Sequence, residues 1–208
     1  MSEKSRVAGS CAYAFAASLE SCNKTERMRE LLRTHPQTQC CAAIQIEAVV
    51  TRSKSYCLEL SYVVTGQLKE LLIPPTATSK RADNLWRHTC FEAFIQTAQT
   101  EYYEFNFAPT LAWAAFRFTG YRRGKSLAAI PIPAIAVHSD PERYSLQASL
   151  NLESLYLPEQ PLWHLGVTTV IEDKSGRLSY WALAHASDKP DFHRSESFVY
   201  EFSPVLPP

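Results

Sequence analysis

Three short stretches mix aromatic and polar side chains densely enough to build a binding or reactive surface. They are Leu85-Trp86-Arg87-His88-Thr89-Cys90-Phe91-Glu92-Ala93-Phe94, Tyr102-Tyr103-Glu104-Phe105-Asn106-Phe107-Ala108-Pro109, and Asp191-Phe192-His193-Arg194-Ser195-Glu196-Ser197-Phe198. Glu92 and Glu104 fall in the first two. Paired carboxylates are the usual machinery of glycosidic cleavage, and these two can meet across a hairpin if their segments are adjacent strands. The plainer reading is a pair of carboxylates on a solvated face. His88 precedes Cys90 by two positions, a spacing that shares one face of a strand, so an imidazole could activate the thiol. The plainer assignment there is a small buried cysteine beside an exposed histidine. Aromatic planes beside Glu, Asn and Arg also suit a sugar. The C–H face of a pyranose packs on a ring while its hydroxyls need fixed donors and acceptors. Each of these aromatics, taken singly, could equally serve core packing.

Several chemistries are excluded by pattern. There is no GxSxG for a serine hydrolase, and neither GxGxxG nor GxxxxGK[ST] occurs in a chain with 6 Gly against 13 Pro. The six histidines, His35, His88, His138, His164, His185 and His193, contain no HExxH, so no local metal motif exists. Lys+Arg and Asp+Glu number 21 each, which argues against nucleic acid or an acidic membrane recognised through bulk charge. The longest apolar run, residues 127–137, contains Pro131 and Pro133 and is too short to span a bilayer.

The cysteines, Cys11, Cys22, Cys40, Cys41, Cys57 and Cys90, form no CxxC pair and read as free thiols of a reducing compartment. Residues 7–18 (VAGSCAYAFAAS), after Lys4 and Arg6, have the outline of a signal peptide. Their apolar part is rich in Ala and broken by Ser10, so a cytoplasmic location is expected rather than a secreted or periplasmic one.

The elements that must position these residues are strands. Hydrophobic residues at 46% and charged ones at 20% allow a sizeable core in 208 residues, and 12% aromatics lean toward β-structure. Ile44, Ile46 and Ala48 alternate with Gln45 and Glu47, and Leu58, Leu60, Tyr62 and Val64 alternate with polar neighbours. Arg52-Ser53-Lys54 is the expected connection between these two. Further strands are expected at 91–97, 101–107, 112–118, 134–138, 144–152, 165–172, 178–184 and 198–202, with a turn at Asp173-Lys174-Ser175-Gly176. Ten short strands without helices between them specify an all-β fold, an antiparallel β-sandwich or barrel over residues 40–203. Residues 1–39 read as a weakly structured extension with a helical run at 25–33, where Met28, Leu31 and Leu32 share a face. Residues 204–208 read as a tail.

At the three aromatic-polar segments the sequence resembles family 9 carbohydrate-binding modules and the related DOMON-like domains, over roughly residues 41–202. The matches are Trp86 six residues before Glu92-Ala93-Phe94-Ile95; the YxEFxxxP strand at Tyr102 to Pro109; and Trp181 followed by Phe192 to Phe198, with Ser195 where the pattern has Pro. The resemblance implies a β-sandwich that holds a sugar between two aromatic faces, here Trp86 and Phe192. Glu92 would accept from hydroxyls, and Asn106 would stand as a neutral residue where a charged donor can occur. His88, Glu104 and His193 complete the expected site. The implied function is non-catalytic binding of a carbohydrate or similar small polar ligand, with no cofactor. Other DOMON-type domains bind haem through Met and His. Here the only methionines are Met1 and Met28, upstream of the expected sandwich, which leaves His88, His185 or His193 as conceivable iron ligands. A protein-interaction module and a hydrolase using Glu92 and Glu104 also fit these residues.

Overall fold

The computed structural model describes residues 26–40, 42–54, 56–97, 100–158 and 162–202. The segment with the outline of a signal peptide and the expected tail lie outside them. Thirteen strands are present among the described residues. The first seven are β1 (Glu26–Leu31), β2 (Arg33–Thr34), β3 (Ile44–Lys54), β4 (Cys57–Gly66), β5 (Cys90–Gln96), β6 (Tyr102–Phe107) and β7 (Trp113–Phe118). The others are β8 (Ser126–Leu127), β9 (Ala134–Ser139), β10 (Arg143–Asn151), β11 (Trp163–Glu172), β12 (Leu178–Ala182) and β13 (Tyr200–Phe202). Only single 3-10 turns accompany them, so the fold is the expected all-β sandwich.

A five-stranded sheet in the order β1-β3-β4-β10-β9 packs on an eight-stranded one in the order β2-β12-β11-β5-β6-β7-β8, with β13 added to β11. Every strand pairing is antiparallel. The five-stranded sheet buries one face, and its strands alternate accordingly. Leu58, Leu60, Tyr62 and Val64 of β4 are buried, while their neighbours are exposed or half-buried. β5 and β6 are buried at every position, because their sheet is covered on both faces. One face, with Phe91, Ala93, Ile95, Phe105 and Phe107, meets the five-stranded sheet in the main core.

Residues 26–34 correct the expectation of a helical, weakly structured extension. Glu26–Leu31 pairs along its whole length with β3, Met28 opposite Val50, and Arg33–Thr34 pairs with β12. Met28 and Leu32 enter the core, whereas Leu31 is 55% exposed. A helix of nine residues is marginal alone, and the backbone edge of β3 supplies hydrogen-bond partners that a surface helix would forgo. The expected connection at Arg52-Ser53-Lys54 also lies elsewhere: β3 continues to Lys54 through a bulge between Arg52 and Lys54. The bulge accompanies a buried Arg52 guanidinium placed 3.6 Å from the Trp163 ring centroid. The turn at 173–176 forms as expected, with Gly176 at φ +80° donating its N–H to the Asp173 carbonyl at 2.9 Å. Cys40, Cys57 and Cys90 are free thiols.

Candidate functional site

The outer face of the eight-stranded sheet carries a second apolar cluster, which includes Cys90, Phe94, Tyr102, Phe116, Phe118 and Phe198. Strand alternation places Glu92 on this face of β5, with Glu104 and Asn106 on the same face of β6. In register Glu92 is opposite Asn106 and Phe94 opposite Glu104, so the two carboxylates are diagonal rather than directly facing neighbours. Chain segments 84–87, 119–125 and 183–199 rise around them. The last is seated on the sheet by Phe198, which stacks on Phe94 at 5.5 Å and occupies the space beside Gly166. A Cβ on Gly166 would stand 2.5 Å from the Phe198 ring, so glycine is needed for this close approach.

The result is a cleft of about 440 Å³. Trp86, Phe118, Tyr180 and Phe192 form aromatic walls, Glu92 and Glu104 the floor, and Arg122, Lys125, Asp191 and His193 the rim. Glu92 is 2% exposed. Its Oε2 accepts from Thr168 Oγ1 at 3.3 Å, while Oε1 has no N–H or O–H donor among the described residues. Burial, and then the neighbouring Glu104 charge, push the Glu92 carboxyl up to about 8; the Cys90 thiol, Thr168 and Arg122 oppose the shift. Burial also raises Glu104, against the pull of Asn106, Lys125 and Arg122. Asn106 Nδ2 donates to Glu104 Oε1 at 2.7 Å, which leaves buried Asn106 Oδ1 without a donor among the described residues.

The rim is tied together by Asp191. It accepts from Arg122 Nη2 at 2.9 Å, from the Tyr121 hydroxyl, and from the His193 backbone N–H at 3.1 Å. Burial works against the Asp191 carboxylate, but the Tyr121, Arg122 and His193 bonds hold it below its usual range. Arg122 adopts the left-handed backbone, φ +51°, in this turn, and its N–H donates to Tyr102 Oη at 3.2 Å. Tyr102 Oη is in turn 2.8 Å from His193 Nδ1. Burial and the Arg122 charge push His193 down to about 4, so its ring is neutral at physiological pH. Lys125 Nζ lies 3.7 Å from the Phe116 ring centroid and has no carboxylate within 4 Å among the described residues.

Of the residues singled out in sequence, Trp86, Glu92, Glu104, Phe192 and His193 line this cleft. Asn106 lies beneath it and acts on Glu104. Phe192 is only 7% exposed and packs on Tyr180 at 5.8 Å, so it is a wall rather than an open platform. The open ring is Trp86, 43% exposed. His88 is outside the cleft: β5 begins only at Cys90, and the preceding turn sends the imidazole into solvent, 2.7 Å from Glu172 Oε2. Cys90 is fully buried, and its thiol is directed to the Phe91 carbonyl at 3.9 Å while His88 is engaged by Glu172.

The histidines considered as iron ligands are each engaged. His185 Nε2 meets the Arg33 carbonyl at 2.8 Å, and His193 meets Tyr102. Met28 belongs to the core between the sheets. No group of three His, Cys, Asp or Glu side chains is placed to hold a metal ion among the described residues. Sequence reasoning gave no role to Arg122, Lys125, Tyr180 or Asp191, although Asp191 opens the third aromatic-polar segment; the basic run Arg122-Arg123-Gly124-Lys125 in an otherwise charge-balanced chain was a signal for two of the others.

No family model matches the chain, and no curated protein is similar enough to match. Among solved structures it is similar to a protein of Bacteroides uniformis ATCC 8492, provisionally described as carbohydrate-binding. The TM-score is 0.56 at 12% identity, over 88% of each chain. A family 9 carbohydrate-binding module of Caldicellulosiruptor kristjanssonii in complex with cellotriose matches at TM-score 0.41 and 12% identity, over 73% of this chain and 71% of that one. The same organism's family 9 module in complex with glucose matches at 0.43 and 11%, over 96% and 90%. What the chain shares with the Bacteroides protein is the fold, an antiparallel β-sandwich.

Proposed function

We propose that the protein is a non-catalytic binder of a carbohydrate or similar small polar ligand, held in the cleft above Glu92 and Glu104. The observation that carries this is the undonated Glu92 Oε1, buried at the floor of an aromatic-walled cleft. A buried acceptor without a donor costs about 1–3 kcal/mol, and a ligand hydroxyl placed there recovers that cost. The half-exposed Trp86 ring offers a flat face to ring C–H groups, and the cleft volume falls in the range of small-molecule sites. The shared fold of the Bacteroides protein supports the same reading.

A hydrolase using Glu92 and Glu104 ranks second. Two buried carboxylates on one face of adjacent strands favour it. Thermal unfolding against a panel of mono- and oligosaccharides tests the binding reading. A ligand at about 100 times its Kd adds roughly 2.7 kcal/mol, a rise of a few degrees for a domain of this size. Trp86→Ala is expected to lose the rise while keeping the unliganded midpoint. A flat panel, or a Trp86→Ala protein that does not fold, would count against the proposal. Turnover of a chromogenic glycoside would move it to the hydrolase.

A further inference from the structure

With Glu92 ionised, the floor of the cleft offers mainly acceptors. The Thr168 hydroxyl is directed to Glu92, and the Asn106 amide nitrogen to Glu104. What remains are Glu92 Oε1 and Asn106 Oδ1, both buried and on residues directly opposite in register. The charges are also unevenly shared. Arg122 and Arg194 both engage Asp191, and the Lys125 charge acts on Glu104. No basic side chain lies within 4 Å of Glu92 among the described residues, so Glu92, if ionised, is the carboxylate left without a cation of its own.

A ligand hydroxyl would answer the missing donor but not the missing charge. An ammonium answers both, since it presents three N–H donors and one positive charge. The faces of Trp86 and Tyr180, two of the walls, suit a cation as well. We infer that the ligand of this cleft carries a protonated amine seated over Glu92, most simply an amino sugar. This rests on the carbohydrate-binding reading.

In the free protein Glu92 meets the shortfall by keeping its proton, which follows from its raised proton affinity. Binding of the ammonium makes that proton redundant. R–NH3+ and the Glu92 carboxyl become an ion pair, and one H+ leaves to solvent. The titratable groups that act on Glu92 or share its cleft are Cys90 on its own strand, Glu104, Tyr180, Tyr62, Arg122, Lys125 and His193.

The test is calorimetric titration with glucosamine, glucose and N-acetylglucosamine at about pH 6, below the range of an α-amine. It is repeated in two buffers of different ionisation enthalpy to count protons. Glucosamine is expected to bind about tenfold tighter than either neutral sugar, a difference of about 1.4 kcal/mol, with release approaching one proton per ligand. In Glu92→Gln the affinity ratio should fall to about one and the proton release should vanish. Equal binding of all three sugars overturns the amine inference and leaves the carbohydrate reading standing. Preference and proton release that persist in Glu92→Gln overturn the assignment to Glu92. No binding by any of the three overturns both readings. If Glu92→Gln does not fold, the wild-type ratio and proton count decide.

Discussion

Burial of the Glu92 carboxyl makes folding stability depend on pH in the direction opposite to that of a salt-bridged acid. An ordinary glutamate titrates near 4.5, and in the folded protein this one is pushed up to about 8. Below the first value both folded and unfolded chains hold the proton, and the difference is silent. Between the two, the unfolded chain releases a proton that the folded chain keeps, so stability is lost as pH rises toward 8. The unfolding midpoint is therefore expected to decline between pH 5 and pH 8. Glu92→Gln should flatten most of that decline and be more stable than wild type at pH 8 by about 2–4 kcal/mol. A slope unchanged in the variant would show that Glu92 is not the group responsible. Glu92 and Glu104 were legible in the sequence because two-residue alternation puts them on one face of their strands. Arg122 and Lys125 were not, because they sit on a connection whose position depends on where β7 and β8 close the sheet. For His88 the plainer reading holds, an exposed imidazole beside a buried cysteine, and for a local reason. The i, i+2 rule holds only inside a strand, and His88 lies just before β5 begins.

At the level of elements, β1 shows where pattern and pairing part. The apolar residues of β1 and the position after it, Met28, Leu31 and Leu32, have a helical spacing, and nothing within the segment contradicts it. The decision is made by β3, whose outer backbone edge pairs with six residues from Glu26 to Leu31. Met28→Ala is then expected to cost about 2–4 kcal/mol, as for a core methionine, while Leu31→Ala stays within about 0.5 kcal/mol. Denaturant unfolding of the two variants checks this, and equal, small effects would return 26–31 to a dispensable extension. One-sided burial in β4 and β10 writes itself as alternation and made those strands legible, whereas the two-residue strands β2 and β8 are too short to carry a period. β5, β6 and β11 were legible as runs rich in aromatic and β-branched residues, although composition alone does not tell which face bears the cleft. That is fixed by the 183–199 segment, whose Phe192 and Phe198 carry no periodic signal linking them to a strand far away in sequence.

For the whole molecule, two layers of strands leave edges unpaired among the described residues at both ends of each sheet, and those of the five-stranded sheet are unlike. β1 ends the sheet with Glu26, Arg27, Arg29 and Glu30, and Arg29 is bonded to Glu47 at 2.9 Å. β9 ends it on the other side with Ala134-Ile135-Ala136-Val137-His138-Ser139, where Ala134, Ala136 and His138 are exposed or half-buried and only the histidine can take a charge. Charged side chains on an edge strand discourage pairing with another chain. The formal net charge is zero at pH 7, so no long-range repulsion keeps copies apart. Self-association through β9 is thus the chain's exposed route to aggregation near neutral pH. Ala136→Lys should raise the concentration at which turbidity appears without moving the unfolding midpoint by more than about 0.5 kcal/mol in stability; turbidity unchanged by the lysine would place the sticky edge elsewhere. The working concentration of the protein is then set by an edge strand on the sheet opposite its cleft.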